Sequence, residues 1–219
     1  MSGPAPGDPP LVAVATGNSG KLRELEPLLA AHGLRGVAVG ELGAVAFPEE
    51  ADDYEANARA KARAAADALG VPALADDSGL EVEGLAGAPG PHSARYGGPL
   101  LDDAGRCALL LRELAARHGA SRRARFVCVA ALALPGGAVH VGRGACAGEI
   151  AHAARGERGF GYDPLFRVDE PGFRDGRTMA ELAPEEKASL SHRARAVAVL
   201  APALAALARG AQPYAAKRS

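Results

Sequence analysis

Between Ala15 and Leu22 the chain reads Thr16-Gly17-Asn18-Ser19-Gly20-Lys21, which brings hydroxyls, flexible backbone and an ammonium together just ahead of an apolar-periodic run. Set between a strand and a helix, such a loop offers free N–H groups and the positive end of a helix dipole to an anion such as phosphate. It is not a Walker A loop, because Ala15 stands where that motif has glycine and Leu22 where it has Ser or Thr. Viewed alone, a plain strand-to-helix turn explains it equally well.

A second group is acidic. Asp76 and Asp77 follow a short apolar run, and Glu49 comes from an earlier acidic loop around Pro48, Glu49 and Glu50. Carboxylates at strand ends suit Mg²⁺, which takes hard oxygen donors and leaves positions for water and substrate phosphates. Adjacent residues of an extended chain point oppositely, so at most one of the two aspartates faces a given position. A solvated Asp-Asp-Ser-Gly turn is the plainer alternative.

Three further groups stand out. Asn57 and Lys61 are four apart on an expected helix and share a face. Gly159-Phe160-Gly161-Tyr162-Asp163-Pro164 offers aromatic faces and a carboxylate on a glycine-hinged loop, suited to stacking on and hydrogen-bonding a nucleobase. Lys187, His192 and Arg193 form a cationic trio near the start of the last expected helix, fit for phosphate or base contacts. Together these parts are complementary pieces of one nucleoside triphosphate site.

The elements that must position them follow from periodicity and punctuation. Leu11–Ala15 reads as a strand and Leu22, Leu25 and Leu29 as one helix face, with a kink or irregular turn expected at Pro27. A second strand is expected at Val37–Val39. Asp52 or Asp53 caps an alanine-rich helix from Tyr54 to Leu69, which Gly70 closes. A short strand at Pro72–Ala75 should stop at Asp76-Asp77-Ser78-Gly79, and Leu80–Leu85 alternates as another strand. The Gly/Pro-dense stretch 84–99 reads as loop and Asp103–Arg117 as helix. Arg125–Leu134 and Ala138–Ala147, hinged on Pro135-Gly136-Gly137, read as a long hairpin. Pro184 should open a single last helix, with Leu190, Val197, Leu200, Leu204 and Leu207 turned inward. One α/β domain is expected over 11–209, between a disordered tail at 1–10 and a C-terminal tail at 210–219.

Composition sets the bounds. The 219 residues are 48% apolar and carry a formal net charge of −1, which fits a soluble globular chain and disfavours bulk binding of nucleic acid backbone. No run approaches the ~20 apolar residues of a membrane-spanning helix, and the start lacks a basic segment followed by an apolar one. No membrane and no nucleic-acid partner are expected. Cys107, Cys128 and Cys146 lie far apart, which fits buried thiols in a reducing cytoplasm rather than a zinc site or disulfide framework. Only four of the 25 basic residues are lysine, and the only asparagines are Asn18 and Asn57. Three of those lysines and both asparagines fall in the groups above.

Taken in order, Thr16-Gly17-Asn18-x-x-Lys21, Asp76-Asp77-Ser78-Gly79-Leu80, Ser93-Ala94-Arg95-Tyr96, Gly159–Pro164 and Ser191-His192-Arg193 resemble the signature of the non-canonical purine NTP pyrophosphatases, the dITP/XTP (inosine triphosphate) pyrophosphatase family. The likeness spans about Leu11 to Leu207. It implies an elongated α/β fold with a central mixed β-sheet, two lobes flanking a nucleotide cleft, a homodimer, and Mg²⁺-dependent hydrolysis of ITP, dITP and XTP to the monophosphate and pyrophosphate. Carried over by position, Thr16, Gly17, Asn18, Ser19, Gly20, Lys21 and Lys61 would bind the triphosphate, Glu49 and Asp77 would hold the metal, and Asp77 would act as general base beside Ser78. Phe160, Gly161, Tyr162, Asp163, Lys187, His192 and Arg193 would line the base and sugar end. Two positions depart from the family pattern: Ala56 stands where glutamate often precedes the asparagine, leaving open whether Glu55 replaces it, and His92 stands where tyrosine is common. Two other readings are a nucleotide-binding regulatory module without turnover and a pyrophosphatase for other modified nucleotides.

Overall fold

The computed structural model describes residues 8–210, so most of the two expected tails, at 1–7 and 211–219, lies outside the described residues. Among the described residues six strands form one mixed sheet, joined by seven α-helices. The strands are β1 (Leu11–Val14), β2 (Arg35–Ala38), β3 (Ala73–Val82), β4 (Arg123–Ala133), β5 (Val139–Ile150) and β6 (Phe166–Val168), in the order β2-β1-β3-β4-β5-β6. β1 pairs in parallel with β2, Leu11 against Arg35, and with β3, Ala13 against Ala73. β6 runs antiparallel to β5. The helices are α1 (Ser19–Ala30), α2 (Val39–Leu42), α3 (Tyr54–Leu69), α4 (Asp103–Ala115), α5 (Pro184–Leu190), α6 (His192–Val199) and α7 (Ala201–Ala208). None of the described helices is long and apolar enough to cross a membrane.

The chain divides into two compact units, with the divisions falling inside β3, β4, β5 and α6. Within the described residues the first holds 8–77, 129–143 and 193–210, and the second 78–128 and 144–192. The first has an alanine core. Ala58, Ala62, Ala65 and Ala66 of α3 pack with Ala13 of β1, Ala73 and Ala75 of β3, and Ala131 and Ala133 of β4. Their spacing puts one small-residue face of the helix on the sheet, and such side chains let the helix backbone come close. Asp53 caps α3 through a 2.7 Å bond from the Ala56 N–H, and Gly70 ends it at a φ of 67°. The second unit has a core of larger side chains, among them Leu80, Leu110, Phe126, Ile150, Leu165 and Phe166.

Several expectations are corrected. β3 is one ten-residue strand rather than two pieces broken at Asp76–Gly79. The turn-like composition is overridden because both aspartates are buried against partners, described below, that a solvent-facing turn would lack. β2 covers Arg35–Ala38, and Val39 opens the one-turn α2 instead of ending a strand. The strand expected at Leu80–Leu85 stops at Val82, and Glu83–Leu85 forms a 3₁₀ turn. A second 3₁₀ turn, Gly90–Arg95, interrupts the expected loop. The expected helix after the Thr16–Lys21 loop is present as α1, which ends at Ala30 with Pro27 inside it. The single last helix is three, broken where Ser191 is extended (ψ 150°) and again at Leu200. Pro184 does open α5, and Pro202 sits in the first turn of α7, where a missing N–H costs no helix hydrogen bond. All three cysteines are buried and none forms a disulfide.

Candidate functional site

The expected site residues fall into two clusters, one in each unit. In the first, β1 runs into the Thr16–Lys21 loop and α1. Asn18 caps the helix, its Oδ1 accepting from the N–H groups of Gly20 (2.8 Å) and Lys21 (3.2 Å), while its own N–H donates to Thr16 Oγ1 (3.1 Å). Two of the N–H groups that the sequence offers to an anion are therefore held by the cap itself. Lys21, one turn into α1, places Nζ 3.1 Å from Oδ2 of Asp76.

Asp76 is the centre of a buried charge group. Arg193, 1% exposed, donates from Nε (3.2 Å) and Nη2 (3.0 Å) to the same carboxylate oxygen, and from Nη1 to Glu24 of α1. Burial pushes the Asp76 carboxyl up, but Arg193 and then Lys21 outweigh it and hold the group well below the usual carboxylate range. The sequence carries no local signal for this arrangement, since Lys21 and Arg193 stand 55 and 117 residues from Asp76.

Asp77 takes different partners, as alternation along β3 requires. Its Oδ2 accepts from Asn57 Nδ2 (2.9 Å) and its Oδ1 from Lys61 Nζ (3.3 Å). Burial raises its pKa, and the hydrogen bond from Asn57 and the charge of Lys61 pull in the other direction. A carboxylate in that state retains affinity for a proton, as a general base needs. Lys61 also donates to Glu50, and although burial lowers its pKa, Glu50 and Asp77 raise it further and keep the ammonium charged. Asn57 holds both the N–H and the C=O of Ala51, at 2.7 and 2.8 Å.

The donor set can be compared with what a metal would need. Mg²⁺ binds to one or two carboxylates together with phosphate oxygens and water. Asp77 and the Glu49–Glu50 pair supply hard oxygens of that kind and number. Among the described residues no group of three or more His, Cys, Asp or Glu is gathered for a metal. Glu49 is exposed and makes no hydrogen bond or ion pair among the described residues, whereas Glu50, its neighbour, reaches Lys61. Glu55, next to Ala56, is engaged by Arg59 (2.6 Å) and Arg143.

In the second unit, the Phe160–Asp163 loop is shaped by its own carboxylate. Asp163 Oδ2 accepts from the Phe160 N–H (2.9 Å) and from Lys187 Nζ (2.5 Å) of α5, and Lys187 Nζ stands 5.2 Å from the Phe160 ring centroid. Gly159 has a φ of 79°, and a Cβ there would lie 2.0 Å from Asp163 Oδ2, so only glycine fits the turn. The Gly161 N–H donates to Asp103 Oδ2 (2.7 Å) at the start of α4. Tyr162 OH donates to the Ser93 carbonyl (3.0 Å), and Ser93 Oγ accepts from the Leu80 N–H (2.8 Å) and donates to Gly90 O (2.7 Å). Ser93 thus ties β3 to the aromatic loop. Tyr96 of the same motif donates to Glu113 (2.5 Å), and burial and Glu113 push its pKa up to about 12. His92 accepts from Arg95 Nε (3.3 Å).

Ser78 is half-buried on β3 beside Asp77. The expected cationic trio meets three sets of partners: Lys187 pairs with Asp163, His192 stacks on Phe126 at 4.9 Å and 16°, and Arg193 pairs with Asp76 and Glu24. Two cavities of the second unit, about 370 and 330 Å³, are lined by none of the expected site residues.

The family model described as Ham1 matches residues 12–203. The chain is 51% identical over 190 residues to the dITP/XTP pyrophosphatase of Deinococcus deserti, covering 86% of each chain. It is 47% identical over 201 residues to the protein of the same name from Mycobacterium bovis, covering 90% of this chain and 96% of that one. Among solved structures, a HAM1 protein from Coxiella burnetii is similar, with a TM-score of 0.78 and 40% identity over 89% of this chain and 98% of its own. Fold, ordered motifs and near full-length identity agree, and the chain belongs to the Ham1 family.

Proposed function

We propose that this chain hydrolyses altered purine nucleoside triphosphates, ITP, dITP and XTP, to the monophosphate and pyrophosphate with Mg²⁺, and so clears them from the nucleotide pool. The observation that supports this most is Asp77, a buried carboxylate gripped by an asparagine and a lysine on the strand whose preceding residue anchors Lys21. Relatives that carry the name dITP/XTP pyrophosphatase favour the same reading.

In this reading the Thr16–Lys21 loop and Lys61 receive the triphosphate, and their two ammonium groups offset its charge. Asp77 orients a water and takes its proton as the water oxygen attacks the α-phosphorus. The bond from that phosphorus to the bridging oxygen breaks, and pyrophosphate leaves with the electron pair. Mg²⁺ bound to Asp77 and Glu49 would neutralise phosphate charge and stabilise the leaving group. Phe160 to Asp163, Lys187, His192 and Arg193 serve the base and sugar. Donors there pair with a 6-keto group, and the 6-amino group of ATP leaves them unmatched, which is a strong basis for rejection. The working form is a cytoplasmic homodimer with no nucleic-acid or membrane partner.

The test is product analysis with ITP, dITP, XTP, GTP and ATP plus Mg²⁺, alongside Asp77→Asn. Pyrophosphate and monophosphate from the 6-keto substrates are expected, with ATP much slower. Asp77→Asn should lose about 10²–10⁴-fold in kcat and keep nucleotide binding. Orthophosphate without pyrophosphate, equal rates on ATP and ITP, or stoichiometric binding with no turnover would overturn the reading.

A further inference from the structure

Asn57 is one of two asparagines in the chain and is 3% exposed in the first turn of α3. Its carboxamide makes three hydrogen bonds: Oδ1 accepts from the Ala51 N–H (2.7 Å), and Nδ2 donates to the Ala51 carbonyl (2.8 Å) and to Asp77 Oδ2 (2.9 Å). Only one orientation of the amide serves all three. Reversed, Nδ2 would face an N–H, and Oδ1 would face a carbonyl and a carboxylate oxygen. Aspartate of the same size could not replace it, because an ionised carboxylate donates nothing.

The two bonds to Ala51 fix the backbone one residue beyond Glu50 and two beyond Glu49. The third fixes one oxygen of Asp77, while Lys61 holds the other and is itself held by Glu50. One side chain therefore joins an exposed acidic loop to a carboxylate in the middle of the sheet. α3 can supply it because its alanine face packs against β1, β3 and β4.

We propose that Asn57 is a positioning residue, locking the Glu49–Glu50 loop to Asp77 so that carboxylates from two separate elements keep one geometry toward a divalent cation and the attacking water. The inference rests on the proposed function for the reaction it serves, and adds a residue that acts through Asp77 and the loop.

The experiment uses the full chain with Asn57→Ala, and with Asn57→Ser as a smaller change should the alanine variant not fold. Two quantities are read: Mn²⁺ binding by loss of the free-ion electron paramagnetic resonance signal, with Mn²⁺ alone as the probe, and the Mg²⁺ concentration that half-saturates turnover of ITP. A supporting partner beyond the ligands is worth about 10–100-fold in metal affinity, so the Mn²⁺ dissociation constant and the half-saturating Mg²⁺ concentration should each rise by at least ~10-fold while KM for ITP at saturating Mg²⁺ moves by less than ~3-fold. A folded variant with unchanged Mn²⁺ affinity and Mg²⁺ requirement overturns the proposal. So does a lower Tm and lower kcat with the metal response intact, which is what a purely structural asparagine gives, and so does a parent chain that binds no Mn²⁺. If the parent releases no pyrophosphate from any purine triphosphate, the proposed function fails, while the Mn²⁺ titration still decides the role of Asn57.

Discussion

In the first unit most of the polar groups sit on regular elements, Asp76 and Asp77 on β3, Lys21 and Glu24 on α1, Asn57 and Lys61 on α3, and Arg193 on α6, with Glu49 and Glu50 of the cluster on a loop. In the second unit Asp163 lies in a loop and spends its Oδ2 on the loop's own Phe160 N–H and on Lys187. The first cluster is supported by an alanine core that carries α3 on the sheet, and the second by large apolar side chains under an aromatic turn. Charges on strands and helices keep their geometry as long as the partners are present, because the backbone is already fixed by its ladders. A loop keeps its geometry only as long as the side chain that organises it does.

That contrast can be broken at its strongest point with Asp76→Ala. Removing the shared carboxylate leaves the buried Arg193 and the half-buried Lys21 without it, a change that costs about 3–5 kcal/mol when one member of a buried pair is deleted. Urea unfolding of the variant should show it, and a loss below about 1 kcal/mol would mean that the ion pairs do not support the first unit. Because the Asp76 carboxyl is held below its unfolded value, its contribution is complete at neutral pH and declines as pH falls below the ordinary carboxylate range. The parent should therefore lose stability on acidification more steeply than Asp76→Ala.

Asp163→Asn should have a smaller and more local effect. An asparagine oxygen can still accept the Phe160 N–H, but the charge partner of Lys187 is lost, a charged hydrogen bond worth about 1.5–3 kcal/mol. The expected result is a raised KM for ITP with kcat changed less, read by steady-state kinetics. Equal damage to kcat would show that the aromatic loop and the Asp77 chemistry are not separable. The smallest effect belongs to Tyr162→Phe, which removes one bond to the Ser93 carbonyl and should cost about 1 kcal/mol in urea unfolding.

Much of the fold is legible along the chain. The strand, loop and helix from Leu11 to Ala30, the Asp53 cap, the Gly70 stop and the hairpin hinge at 135–137 obey rules that act over a few residues, and the structure follows them. Local rules failed at Asp76–Gly79 and at the last helix. A turn-like sequence stays in a strand when its carboxylates find buried cations, and a helical pattern is cut when Ser191 becomes extended and Pro202 enters a new first turn. In the candidate site, residue types and spacing marked the Asp76-Asp77 pair, Lys21 and Lys61, and the family resemblance singled out Asp77, but Asn57 read only as a neighbour of Lys61 on one helix face. Glu24 and Asp76 gave no sign of sharing Arg193.

The sequence by itself determined the parts: which residues are acidic, which loops need glycine, where helices are capped, and an ordered set of motifs that places the chain in its family. Only the tertiary structure decided the pairings. Asp76 and Asp77 are adjacent and chemically identical, yet one is driven down in pKa by Arg193 and Lys21 and the other is raised by burial. A carboxylate's proton affinity depends on how much water it loses and which charges reach it, and those charges come from helices far away in the chain.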